Sequence, residues 1–238
     1  MAIDQALLEA AERTGRAFLR LYRFDPPCLS FGRNEPARER YDRAVMTHRG
    51  LDAVRRPTGG RAVWHEHEVT YAVAAPLGLL GSLRASYLAI HTRLAAALDA
   101  LGVRATVAPD RPTARPPDRP GPCFAASVGG EVLIDGKKVI GSAQVRRGGA
   151  LLQHGSILLD GSQDVIAAVS REPRAASRGT TLSAALGRPV TFQEVAEAVL
   201  EAFGRDAGGR QAAPPRPSAR PPDRLTAAFL DPAWTWRR

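Results

Sequence analysis

Between Val54 and Val73 the sequence runs VRRPTGGRAVWHEHEVTYAV, and the pair Gly59-Gly60 inside this valine-rich stretch limits what the chain can become. Glycine has no side chain to pack and loses much backbone freedom on folding, so it weakens a strand interior. A Gly-Gly pair beside strand formers marks a tight turn or a backbone that something else must approach closely. Val63, Val69, Tyr71 and Val73 are candidate inward positions, and residues 54–75 read as a strand, a glycine turn and a second strand. No Walker lysine follows, and the three-glycine spacing that opens a dinucleotide-binding helix is absent. Taken alone, the pair reads more readily as a hairpin turn than as a ligand site.

The flanking sequence supplies both helices and strands. Ala2 to Ala11 has leucine and alanine at helical spacing, and AFLRLYRF and CLSFG read as strands parted by Asp25-Pro26-Pro27. A short helix is expected over 38–48, and a long one capped by Ser82 reaches about Leu101. VRATVAP then reads as a strand. Glu131 to Ile134, the turn Asp135-Gly136 and Lys137 to Val145 read as a hairpin, and ALLQHGSILL as a further strand. Helical patterns follow, the last with Thr191 and Glu194 in capping-box spacing, and the terminal DRLTAAFLDPAWTWRR has enough apolar bulk to dock back. Strands and helices mix without a steady βαβ alternation, which predicts an α+β fold. A single domain over 1–238 is expected, with Pro/Arg-rich loops at 108–122 and 204–222.

The chain has 238 residues, enough for a substantial core, and a net charge of +9. No apolar run is long enough to span a bilayer, and the first residues lack a basic start, an apolar core and a cleavage site, so a cytoplasmic protein with no membrane partner is expected. The positive charge attracts acidic partners. Aromatic residues make up only 6% of the chain and no recognition-helix or RNA-binding signature is present, so nucleic acid is not an expected partner. No exposed apolar stripe is evident, which favours a monomer.

Four side chains raise chemical questions. His65 and His67 stand two apart in an expected strand, hence on one face, with Glu66 and Glu68 on the other. Without a clear third ligand they read as hydrogen-bonding residues, and no metal is expected. Lys137 and Lys138 are the only lysines, every other cation being arginine. They point to opposite sides of their strand, either as exposed turn residues or with one facing inward, where an ammonium holds a carboxylate or polarises an acyl carbonyl. Cys28 and Cys123 are too few for a disulfide framework. Each suits a small buried position, while Cys123, on a loop before the lysine hairpin, also has the setting of a partly ionised nucleophile.

Three stretches together, RRPTGGRAVWHEHEVTYAV, GKKVIGSAQVRRGGALLQHGSILL and MAIDQALL, resemble the catalytic domain shared by lipoate-protein ligases, octanoyltransferases and, more distantly, biotin protein ligases. The resemblance covers nearly the whole chain and implies that family's fold, with mixed, largely antiparallel sheets flanked by helices. CFAASVGGEVLIDGKKVIGSAQ is most similar to the cysteine-dependent octanoyltransferases. By that likeness Cys123 is the acyl-accepting nucleophile and Lys138 the family's lysine. The substrate-binding wall is then formed by Arg56, Thr58, Gly59, Gly60, Arg61, Ala62, Val63 and His65, by Gly141, Ser142, Ala143 and Gln144, and by His154, Gly155 and Ser156. The resemblance implies octanoyl-acyl carrier protein as donor, a lysine of a lipoyl domain or of the glycine cleavage H protein as acceptor, and no cofactor. Two alternatives stay open: an ATP-dependent lipoate-protein ligase, which needs ATP and Mg, and an octanoyl or lipoyl amidotransferase.

Overall fold

The computed structural model describes residues 1–109, 129–172, 179–204 and 220–237. The chain opens with α1 (Ala2–Thr14), closed by Gly15 in the left-handed conformation, then β1 (Phe18–Tyr22) and β2 (Cys28–Phe31). Next come α2 (Ala37–Arg40), α3 (Arg43–His48), β3 (Asp52–Arg55), β4 (Val63–His65) and β5 (Glu68–Pro76). They are followed by α4 (Leu77–Leu80), α5 (Leu83–Ala100) and β6 (Ala105–Val107), and then by β7 (Val132–Ile134), β8 (Lys137–Lys138), β9 (Ile140–Arg147) and β10 (Ala150–Leu158). The described chain ends with α6 (Val165–Ala168), α7 (Leu182–Leu186), α8 (Phe192–Gly204), α9 (Asp223–Leu230) and α10 (Pro232–Thr235).

Local chemistry sets several of these boundaries. Ser82 starts α5 by accepting from the Ala85 amide, and Thr191 and Glu194 exchange the two bonds of a capping box at the start of α8. Asp135 and Gly136 both take positive φ, the geometry of a two-residue hairpin turn, and join β7 to β8.

Ten strands among the described residues form three sheets. The largest is antiparallel, in the order β1-β5-β10-β9; the others are β3-β2-β4 and β6-β7-β8. The glycine pair therefore does not turn a hairpin. β3 and β4, on either side of it, pair with opposite edges of β2, the first parallel and the second antiparallel. β5 leaves that sheet for the large one. Lys137 to Val145 is likewise divided, because β8 pairs with β7 whereas β9 pairs with β10.

Two further expectations need correction. The helix read over 38–48 is two short helices, parted at Tyr41, which bridges to Ser170. His65 and His67 do not share a strand face: the chain bends after His65, leaving His65 buried and His67 exposed, while Glu68 turns inward.

The large sheet is covered on both faces. Val69, Tyr71 and Val73 of β5 face Ile90, Leu94 and Leu98 of α5 and Val195 and Val199 of α8. The alternate residues Ala72 and Ala74 meet Leu8 and Ala11 of α1, small side chains that let the helix lie close to the sheet. Each large aliphatic side chain buried this way contributes about 1.5–3 kcal/mol. The second sheet has its own core of Leu29, Phe31, Tyr41, Met46, Trp64, Ile166 and Trp236. Arg55 of β3, with no exposed surface, donates from one guanidinium to the carbonyls of Gly32, Arg33, Glu35, Trp234, Thr235 and Arg237. Its donors thereby fasten the C-terminal segment to the turn after β2.

Candidate active site

The segment between β3 and β4 wraps around its own arginine. Arg56 donates from Nη1 to the carbonyl and hydroxyl of Ser30, and from Nη2 to the carbonyls of Gly59 and Arg61. The resulting loop presses on β2's exit so closely that a Cβ on Gly32 would stand 1.8 Å from the Gly60 carbonyl oxygen. Gly60 has φ +89, a conformation that disfavours other residues, and a Cβ there would lie 3.8 Å from Ala143 Cβ. A Cβ on Gly59 meets only open space. The two glycines thus have different reasons to be there, and Gly60 is the one facing a cavity.

That cavity lies between this loop and the large sheet and encloses about 360 Å³, its mouth included. Arg56, Gly60, Val63 and His65 line one side; Gly141, Ser142 and Ala143 of β9 and His154, Gly155 and Ser156 of β10 line the other. Met1, Tyr22 and Thr70 complete it. The strands leave no room at Gly155, where a Cβ would fall 2.3 Å from the Gly141 carbonyl and 2.6 Å from Ser142 Oγ.

The polar groups around the cavity are paired with one another and with groups behind the wall. His154 Nδ1 lies 3.0 Å from an Asp4 carboxylate oxygen, and Nε2 lies 2.6 Å from the Thr58 hydroxyl. Burial, ahead of the opposing pull of Asp4, lowers the His154 pKa, so the ring is neutral: Nδ1–H donates to Asp4 and Nε2 accepts from Thr58. For Asp4, burial alone would favour protonation. The His154 bond, the nearby amino terminus and Arg20 outweigh it and hold the carboxyl below the usual range. Arg20 and Tyr22 also donate to Asp4, at 2.6 and 2.8 Å.

His65 is held in the same way. Its Nδ1 donates to Glu68 Oε1 at 2.6 Å, and Nε2 meets Ser30 Oγ at 2.5 Å. Arg56 donates to that same oxygen. Phe24 stacks on the imidazole at 4.2 Å. Glu68 also accepts from Thr70, and its second oxygen is buried without a hydrogen-bond partner among the described residues.

On the opposite face of the sheet a chain of hydrogen bonds leads away from the cavity. Gln144 donates to Gln153, which donates to the Tyr71 hydroxyl; Tyr71 and Ser142 lie 2.7 Å apart, and Ser142 lies 2.8 Å from His91 Nε2. His91 Nδ1 faces the Gly130 carbonyl, so that nitrogen carries the hydrogen and Nε2 accepts from Ser142. Glu131, next in sequence, pairs with Lys138, and both are buried. Lys137 is exposed, as the opposite faces of a strand require.

The structure thus brings together Arg56, Gly60, Val63, His65, Gly141, Ser142, Ala143, His154, Gly155 and Ser156 around one cavity. Other residues named from sequence stand behind it. Thr58 bonds to His154, Gly59 and Arg61 supply carbonyls to Arg56, and Ala62 turns into the second sheet's core. Gln144 bonds to Gln153 across the sheet. Lys138 is buried outside the cavity lining, and Cys123 lies outside the described residues. The remaining cysteine, Cys28, is buried, and burial together with the Glu68 charge pushes its thiol up to about 12, the reverse of what a nucleophile needs. Tyr22, Thr70 and Asp4 were not singled out from sequence. Thr70 shares a strand face with Glu68, and Asp4 is the acid on the inward side of an amphipathic helix, so the signal for both was present in the periodicity.

The fold and this site define a lipoate-ligase-like catalytic domain. The chain belongs to the lipoyl protein ligase A/B catalytic domain family, whose model matches residues 1–204. Octanoyltransferase LipM of Kyrpidia tusciae is 38% identical across 100% of this chain and 94% of its own length. Octanoyltransferase LipM of Moorella thermoacetica is 40% identical across 86% of this chain and 80% of its own. The crystal structure of lipoate-protein ligase A bound with ATP shares the fold, with a TM-score of 0.70 at 22% identity over 87% of this chain and 79% of that one. No helix among the described residues is long and apolar enough to cross a membrane.

Proposed function

We propose that this protein is an octanoyltransferase of lipoate biosynthesis, moving an octanoyl group from acyl carrier protein, through a thioester on Cys123, to a lysine of a lipoyl domain or of the glycine cleavage H protein. The observation that carries the reading is the cavity itself. Its walls at Gly60, Gly141 and Gly155 are bare backbone, and its histidines are already paired with groups of the protein, as suits a thin uncharged chain. The full-length likeness to proteins named octanoyltransferase supports it.

In this reading the Cys123 thiolate attacks the carrier-bound thioester. The C–S bond to the carrier breaks, and its thiolate departs and takes a proton. A neutral acceptor lysine amine then attacks the octanoyl-cysteine; the nitrogen gives up one proton to solvent as the amide forms, and the C–S bond breaks to return the Cys123 thiolate. Lys138, the buried ammonium paired with Glu131, supplies positive charge for the oxyanion. No nucleotide or metal enters either step.

Intact mass spectrometry of the protein mixed with octanoyl-acyl carrier protein, without ATP, tests this directly. A hydroxylamine-sensitive octanoyl adduct is expected on the wild type and none on Cys123→Ala. Acceptor modification that appears only with ATP and free lipoate would reassign the protein as a ligase.

A further inference from the structure

We propose that an arginine-lined groove beside the cavity is the docking site for the acidic protein that delivers the acyl thioester. This rests on the transfer reaction proposed above and assigns the surface that its donor uses. The groove encloses about 1000 Å³ open to solvent. Arg33 comes from the turn after β2, Arg146 and Arg147 from the end of β9, and Arg224 from α9. Glu9 is the only acid among its lining residues. Arg147 and Arg224 converge on Glu9 from opposite sides, at 2.7 and 2.5 Å, so one carboxylate stands against four guanidiniums and the groove is net cationic. All four arginines are exposed.

The groove adjoins the cavity along three elements. On β9, Ala143 lines the cavity while Val145 and Arg147, on the same face, line the groove. On α1, Met1 belongs to the cavity, and Gln5 and Glu9, one and two turns on, belong to the groove. In the loop, Arg56 and Gly60 face the cavity and Pro57 the groove, and the Arg33 amide is bonded to the Thr58 carbonyl at 2.7 Å. The arginines and the cavity thus stand at two ends of the same short stretches of β9, α1 and the loop.

Distance and charge choose the occupant. From Ala143 to Arg147 is about 13 Å along the strand, longer than a lysine side chain and suited to the flexible phosphorylated arm on which a carrier protein holds its acyl group. The arm's phosphodiester and the carrier's acidic surface both complement the guanidiniums. An acceptor domain's lysine arm is shorter than that span and bears no phosphate.

The test uses the full chain and two double variants, Arg33→Glu/Arg146→Glu and the milder Arg33→Gln/Arg146→Gln. Binding of octanoyl-acyl carrier protein is read by fluorescence anisotropy. Octanoyl transfer is read with that donor and, separately, with octanoyl-N-acetylcysteamine, a small thioester without a protein. The charge reversal is expected to weaken carrier binding by about tenfold or more at low salt, the neutral pair by less. Both gaps close near 0.5 M salt, where screening shortens the reach of exposed charges. Turnover of the small thioester stays within about twofold of wild type. Unchanged carrier affinity, a parallel loss with the small thioester, or loss of acceptor binding in place of carrier binding would overturn the assignment. A wild type that binds the carrier in this salt-dependent way but transfers nothing would sink the proposed reaction and leave the docking site standing.

Discussion

His91 offers a quantitative test of the hydrogen-bonded chain that leaves the cavity through Ser142. The ring is fully buried on α5. Burial, against the opposing pull of the Gly130 carbonyl and aided by the charges of Lys138 and Arg84, lowers its pKa from 6.5 to about 4. In the unfolded chain the same imidazole takes its proton near 6.5. Between those two values the unfolded state binds a proton that the folded state refuses, so stability falls as pH falls. At pH 5 the loss amounts to about 2 kcal/mol, and it levels off near 3 kcal/mol below pH 4, where the folded ring is protonated too. The measurement is urea unfolding at pH 7.5 and pH 5 for the wild type and for His91→Gln. His154, also buried and neutral, shifts both proteins alike and cancels in the comparison. The wild type should lose about 2 kcal/mol more than the variant between the two pH values. Equal losses would mean that the folded ring is charged or open to water, and the directed chain from Tyr71 to Gly130 would be wrong.

Other outcomes can be stated more briefly. Lys138→Met breaks the buried pair with Glu131 and should cost about 3–5 kcal/mol; Lys138→Met/Glu131→Gln should regain much of that in thermal melts yet remain inactive in octanoyl transfer. Recovery of activity in the double variant would remove Lys138 from the chemistry. Gly155→Ala drives a methyl into the Gly141 carbonyl and Ser142 hydroxyl and should cost about 1–3 kcal/mol with a raised KM for the octanoyl donor. Gly59→Ala, whose methyl meets open space, should stay within about 0.5 kcal/mol of wild type; similar behaviour of the two variants would contradict the separate roles given to these glycines.

Much of the local structure was legible because it is written in local signals. The Ser82 cap, the Thr191–Glu194 box and the Asp135-Gly136 turn each act within a few residues, and each stands where the sequence puts it. Which sheet a strand joins is not a local property. β3 and β4 look like the arms of a hairpin, yet both seek the fully buried β2, whose backbone offers a partner on each edge. The alternation rule also failed across Glu66-His67, since it presumes an unbroken strand and the chain bends there. For the site, the cavity-lining positions came from motifs matched as blocks. That is why Thr58, Ala62 and Gln144, which serve the wall from behind, were grouped with residues that face inward. The missed Tyr22 reaches the cavity only because β1 pairs with β5, a contact that no motif spans.

Arg55 gives the order of assembly a constraint of its own. Three of its acceptors, the carbonyls of Trp234, Thr235 and Arg237, lie 179 to 182 residues downstream. A chain emerging from the ribosome can form the large sheet early. β3, next to the cavity loop, however, holds a guanidinium short of three acceptors until Trp234 to Arg237 have been made. β3 and the loop that follows it are therefore tied down only once residues 234–237 have joined them, which makes the carbonyls of those residues a late clasp on a segment made far earlier.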